Sequence, residues 1–142
     1  MNETFGRFTI SDDPSKLNID TICGFLARSY WANERPRNKI EKSIRHSLNF
    51  GVYDGDKQIG FSRVVTDRAV FAYLCDVFID EEYRGQSLGK WMMNCILSHP
   101  DLIDIRRFVL VTGDAHELYR QFGFTELTKP ELYMEKFDPS RF

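Results

Sequence analysis

Apolar residues recur along the chain with two periods, and the switches between them divide it into elements. Phe5, Phe8 and Ile10 lie in one short extended segment, ended by the turn-forming cluster Ser11-Asp12-Asp13-Pro14. From Ile19 the spacing becomes helical: Ile19, Ile22, Cys23, Leu26, Ala27 and Tyr30 share a face, with Asn18 as cap and Asp20 in the first turn. Pro36 suits the first turn of a second helix, whose stripe of Ile40, Ile44 and Leu48 is sparse, so this helix should lie on the surface. Val52-Tyr53 and residues 59–65 flank Asp54-Gly55-Asp56 and read as a hairpin, because Asp-Gly supplies the positive φ of a tight turn. Residues 70–79 (VFAYLCDVFI) are almost uniformly apolar, as in a strand in the middle of a sheet with both faces covered. Leu88, Trp91, Met92, Cys95, Ile96 and Leu97 return to helical spacing. Residues 107–112 form a short strand, residues 115–122 a helix stopped by Gly123, and residues 132–137 a weaker closing strand. This order predicts a mixed α/β fold with an antiparallel front and a strand-helix-strand back half, in a single domain over residues 1–142.

Composition narrows the function. A chain of 142 residues, 42% hydrophobic and 14% aromatic, can bury a real core without disulfides or structural metals. Nineteen basic against 21 acidic residues, with no long run of one sign, argue against a nucleic-acid groove or an anionic-membrane patch. No apolar stretch approaches the roughly 20 residues of a membrane span, and the first residues lack the order of a secretory signal, so the expected location is cytoplasmic. Cys23, Cys75 and Cys95 are scattered and read as reduced thiols. His46, His99 and His116 have no metal-ligand spacing, so no metal is expected.

Candidate chemistry concentrates in Asp80-Glu81-Glu82-Tyr83-Arg84-Gly85-Gln86-Ser87-Leu88-Gly89-Lys90, which joins the most apolar strand to a helix start. The first amides of a helix have no partners and face the positive end of its dipole, so a glycine-containing turn there suits a phosphate. G-x-G-x-x-G and G-x-x-x-x-G-K-[ST] are both absent, which excludes the common dinucleotide and nucleotide loops.

The run LCDVFIDEEYRGQSLGKWMM resembles the acetyl-CoA-binding motif of the GNAT superfamily of N-acetyltransferases, Q/R-x-x-G-x-G/A after a central strand. DAHELYRQFGF resembles the second motif of that superfamily, a short helix carrying a tyrosine, with Arg84 and Tyr119 35 positions apart. The resemblance implies a GNAT-like fold, a mixed sheet of about six to seven strands flanked by four helices. It implies acetyl-CoA as co-substrate, its pyrophosphate on Arg84, Gly85, Gln86, Ser87, Leu88, Gly89 and Lys90 and its pantetheine arm on backbone at Val77, Phe78 and Ile79. Ser87 departs from the family's glycine, and Thr112, seven positions before the tyrosine, departs from its frequent asparagine while keeping the CoA-contact position. Tyr119 falls on the family's general acid, and a phenol can protonate a departing thiolate.

For the proton acceptor, strand alternation puts Tyr73, Cys75 and Val77 on one face and Leu74, Asp76 and Phe78 on the other. Asp76 and Tyr73 are the candidates, acting through a water relay. Tyr30, Trp31 and Arg35 fall where the resemblance places the wall of the acceptor site, aromatics suiting an amine and an arginine a carboxylate. The expected activity is acetyl transfer from acetyl-CoA to a primary amine of a small molecule or peptide. The alternative is a non-catalytic acyl-CoA-sensing or protein-binding module on the same fold. An exposed closing strand would allow a homodimer.

Overall fold

The computed structural model describes residues 1–142 and contains one six-stranded sheet in which the strands lie in chain order. β1 (Asn2–Phe5) and β2 (Phe8–Ser11) form a hairpin about Gly6, whose φ of +60° supplies the turn. The single first strand expected from sequence is therefore two, because the glycine reverses the chain within the apolar run. α1 (Ile19–Ala27) starts at Asn18, whose side chain accepts from the Thr21 amide at 3.0 Å. It ends before Tyr30, which leaves the helix face and joins the loop to α2 (Arg37–Arg45). Leu48 is not in α2 but opens β3 (Leu48–Asp54), which pairs antiparallel with β4 (Lys57–Thr66) across a turn at Gly55.

β5 (Phe71–Ile79) is the next-to-last strand rather than the middle one. It runs antiparallel to β4 and, after α3 (Leu88–Leu97), parallel to β6 (Arg107–Leu110). The β5–β6 pairing stops at Leu74 opposite Leu110, while β5 continues to Ile79. Beyond Leu74 the two strands therefore diverge, and the β6-facing edge of β5 is left without a strand. α4 (His116–Arg120) follows, and Gly123 takes φ +91° just beyond it, as a helix stop requires.

The closing strand expected at residues 132–137 does not form. A 3-10 turn at Pro130–Leu132 takes part of that segment, and Met134 and Phe137 project into solvent without a strand partner. The count of six strands and four α-helices still stands, with the extra strand at the opposite end of the sheet.

The sheet is covered on both sides. On one, Leu88, Met92, Met93 and Ile96 of α3 pack with Phe50, Val52, Leu74 and Tyr119. On the other, Ile22, Phe25 and Leu26 of α1 and Ile40 and Ile44 of α2 pack on Phe61 and Phe78, with the Phe25 and Phe78 rings stacked 5.0 Å apart. The sparse α2 stripe is thus a core contact, buried through its two isoleucines.

Candidate active site

A bulge in β5 builds the centre of the site. Arg63 pairs with Cys75 and Phe61 with Phe78, so one residue of β5 is extra, and Asp76 takes φ +54° there. The bulge breaks the alternation expected from sequence. Ala72, Leu74, Val77 and Ile79 pack toward α3, whereas Phe78 packs toward α1 and α2. Asp76 can then meet Arg63 of β4. Arg63 Nε donates to Asp76 Oδ2 at 2.9 Å, Arg35 Nη1 to the same oxygen at 2.7 Å, and the Trp31 indole to Oδ1 at 3.1 Å. Arg63 also donates to Ser47 Oγ at 3.0 Å, and that hydroxyl donates to the Ser43 carbonyl, so the network reaches α2.

The Asp76 side chain is 1% exposed. Burial disfavours its charge, but the Arg35 hydrogen bond and the charges of Arg35 and Arg63 outweigh it and hold the carboxyl below the ordinary aspartate value. A carboxylate held this way is a weak base at neutral pH, and its two guanidinium partners occupy one of its oxygens. Burial pushes the Tyr73 phenol up, helped by the nearby Cys75 and Asp76, and the Cys75 thiol up to about 11. Tyr73, Asp76 and the acceptor-wall residues Tyr30, Trp31 and Arg35 all line one cavity of about 390 Å³, closed on its other side by residues 110–115 and Tyr119.

A second cavity, about 480 Å³, runs alongside from the end of β5 to the start of α3. It is lined by Val77, Phe78, Ile79, Arg84, Gly85, Ser87, Leu88, Gly89 and Lys90, and so gathers nearly every residue expected to hold the donor. Gln86 is outside the lining, its side-chain amide donating to the Tyr83 carbonyl at 3.3 Å. The Phe78 and Leu88 side chains are buried in the two cores, which leaves their backbone to face the groove. Arg84 is exposed but anchored: its Nε donates to the Ile79 carbonyl at 2.9 Å and its guanidinium lies 5.0 Å over the Phe78 ring, stapling the loop to β5. Across the groove, Arg28 holds Glu81 with two hydrogen bonds of 2.8 and 3.0 Å.

The turn itself fits an anion. Ser87 caps α3 at φ +65° without a side-chain capping bond, and Gly85 takes φ +83°. A Cβ added at Gly85 or Gly89 would meet nothing within 4 Å, so the space over these amides is open. Left-handed Ser87 explains in local terms why the GNAT pattern has glycine at this place: the conformation disfavours any side chain. Thr112, by contrast, spends its hydroxyl at the start of α4, accepting from the Ala115 amide at 3.1 Å.

Tyr119 belongs to both cavities. It is 8% exposed and edge-on to Phe124, and burial, aided by Tyr30 and Asp114, pushes its phenol up to about 12. Tyr30 closes the cleft from the other wall: its hydroxyl accepts from the Gly113 amide at 2.8 Å and donates to Asp114 Oδ1 at 3.5 Å. Arg63, Gly113 and Asp114 are the site residues that sequence reasoning missed. Arg63 carried a signal, a lone cation in the apolar run IGFSRVV; the two loop residues carried none.

A family model of the GNAT acetyltransferase domain matches residues 45–126, which contain β5, the turn into α3 and Tyr119 but not the wall formed by Tyr30, Trp31 and Arg35. A protein of Gibberella zeae assigned as an acetyltransferase is 30% identical over 84% of this chain and 79% of its own length. A crystal structure from Xanthomonas campestris, assigned to the GNAT family, superposes with a TM-score of 0.90 at 41% identity, covering 93% of this chain and 94% of that one. An acetyltransferase from Clostridium acetobutylicum, whose structure is described with acetyl-CoA, shares the fold at a TM-score of 0.65 and 11% identity, over 92% and 94% of the two chains. A strand pair that parts beside a helix start, the family model and these relatives agree, and the chain belongs to the GNAT family of acetyltransferases.

Proposed function

We propose that the protein transfers the acetyl group of acetyl-CoA to a primary amine by direct attack, with Tyr119 as the acid. The observation that supports this most is the position of Tyr119 in the wall common to both cavities, where a donor in the groove and an acceptor beside Asp76 would meet. Bound in the groove, acetyl-CoA supplies an activated acetyl carbon: the C–N bond forms as the C–S bond breaks, one proton leaves the amine and one reaches the departing sulfur.

The chain's own residues then have separate tasks. Gly85 to Lys90 offer open backbone and the start of α3 to the pyrophosphate, and the strand-free edge of β5 from Val77 to Ile79 offers backbone groups to the pantetheine arm, the Ile79 carbonyl being already held by Arg84. Tyr119 holds its proton throughout the physiological range and donates toward the sulfur. With a phenol as weakly acidic as about 12, that donation stabilises charge on the sulfur as a hydrogen bond before it becomes proton transfer. Asp76, locked between Arg35 and Arg63, positions the wall of the acceptor cavity, and water beside Tyr73 carries the amine's proton away.

Thiol release from acetyl-CoA over a panel of primary amines tests the reading. Tyr119→Phe should lower kcat roughly 100-fold, within the range of a lost general acid, and leave the KM for acetyl-CoA within about twofold. Equal kcat in the two proteins removes Tyr119 from the chemistry. Binding of acetyl-CoA without thiol release over the whole panel would instead identify a non-catalytic acyl-CoA-binding module.

A further inference from the structure

One end of the acceptor cavity carries an unbalanced charge, although Asp114 at the other end makes the lining neutral as a whole. Two guanidinium groups, Arg35 and Arg63, share the single Asp76 carboxylate, and their side chains are only 17% and 12% exposed. One positive charge is therefore left over in a poorly solvated place, where a charge without a counter-ion is costly. Hydrogen-bonding capacity is left over as well. Arg35 uses Nη1 on Asp76, and Arg63 uses Nε on Asp76 and Nη1 on Ser47. Arg35 Nε and Nη2 and Arg63 Nη2 have no protein acceptor, yet the sealed, unpartnered side-chain atoms of the protein are only Asn49 Oδ1, Tyr53 Oη and Ser62 Oγ. The spare nitrogens thus keep contact with solvent, and because both arginines line the cavity they can donate to an anion brought in there.

The cavity also has direction. Asp114 and Tyr119 line both it and the donor groove, whereas Arg35, Arg63 and Asp76 line it alone. An acidic group stands at the end next to the donor and a surplus cation at the end away from it. At about 390 Å³ the space is near the lower limit of small-molecule sites, enough for a compact metabolite.

Resting on the acetyl-transfer reading above, we propose that the acceptor is a small amino acid, an amine and a carboxylate on one molecule, with its carboxylate on Arg35 and Arg63 and its amine directed by Asp114 toward the thioester. A carboxylate is favoured over a phosphate because it cancels the surplus charge of one, where a phosphate would leave the pocket negative. The amine approaches Asp114 as an ammonium, loses a proton to water, and attacks as the neutral form. An N-acetylamino acid and the CoA thiol are the products.

The test is acetyl transfer by the intact protein to the twenty proteinogenic amino acids, to their α-carboxamides, and to phosphoethanolamine. The best amino acid should exceed its own carboxamide in kcat/KM by about 100-fold, as expected when a buried charged partner is left unpaired. Arg35→Gln should bring that ratio toward one. Carboxamides used as well as the acids would overturn the inference and leave the acetyl-transfer reading standing. Phosphoethanolamine preferred over every acid would overturn the carboxylate assignment, and an unchanged ratio in folded Arg35→Gln would overturn the role of the guanidinium pair. No transfer to any amine would overturn both readings.

Discussion

Asp76 shows how one buried carboxylate can hold a cavity wall together, gathering Trp31, Arg35 and Arg63 around it. Asp76→Asn removes the negative charge between two guanidinium groups and should cost about 3–5 kcal/mol at neutral pH, the range for breaking a buried ion pair. The pH dependence has a definite sign. The folded-state pKa lies below the ordinary value of 3.8, so the ion pair's contribution is fully present well above pH 3.8 and is lost as pH falls below it, through the folded value. Urea midpoints of the two proteins should differ most at pH 7 and converge as the pH drops below 4. A constant gap across that range would show that the carboxylate's charge is not what holds Trp31, Arg35 and Arg63 together. Tyr119 is opposite in kind: its proton stays in place below about pH 12, so no fall in kcat on the alkaline side of neutrality should come from it.

The elements around these residues are shaped by two irregularities. The bulge at Asp76 turns a carboxylate out of an apolar strand, and the early end of β6 at Leu110 opens the cleft beside it. The turn into α3 is the third feature, and Ser87 is its strained point. Ser87→Gly should relieve about 1 kcal/mol of left-handed strain, partly offset by the greater freedom glycine gains in the unfolded chain. No capping bond is lost, because the serine hydroxyl makes none. A thermal midpoint higher by about 1–2 °C, the net effect scaled for a chain of this size, is the expected result, and a lower one would mean that the hydroxyl does something the strain argument omits. The loop that joins α1 to α2 is fixed from two directions, by Trp31 and Arg35 on Asp76 and by Tyr30 on Gly113. That double attachment ties the acceptor wall to both diverging strands.

For the molecule as a whole, the cleft is a seam between two packed layers, so a ligand filling it should stabilise both. Acetyl-CoA at 100 times its dissociation constant should add about 2.7 kcal/mol and raise the thermal midpoint by roughly 5–10 °C, while ATP and NADH at the same concentration should not. An equal shift with ATP would reduce the groove to a general phosphate site. No shift with acetyl-CoA at millimolar concentration would mean that the turn at Ser87 has lost the donor, and the enzymatic reading would fall with it.

Local patterning settled most of the elements. Asn18 before a helical stripe, Asp-Gly between two apolar runs and Gly123 after a short helix each impose their structure within a few residues, and all three act as expected. The gathering of residues 84–90 and Tyr119 along one cleft was also readable from their spacing and the family resemblance, and all of them but Gln86 line it. The missing strand at residues 132–137 and the bulge at Asp76 were not, since each depends on which neighbour a segment finds across the sheet; the hairpin at Gly6 was not read although its cause, a glycine at positive φ, is local. VFAYLCDVFI has the composition of a fully enclosed strand, yet its site lies where β6 stops pairing with it. Arg63 meets Asp76 only because β4 and β5 pair with a one-residue offset there, and Asp114 meets Tyr30 over a separation of 84 positions. Spacing along a chain carries backbone conformation; charge pairing across a cleft is fixed by packing, and the chemistry of the acceptor pocket belongs to the second kind.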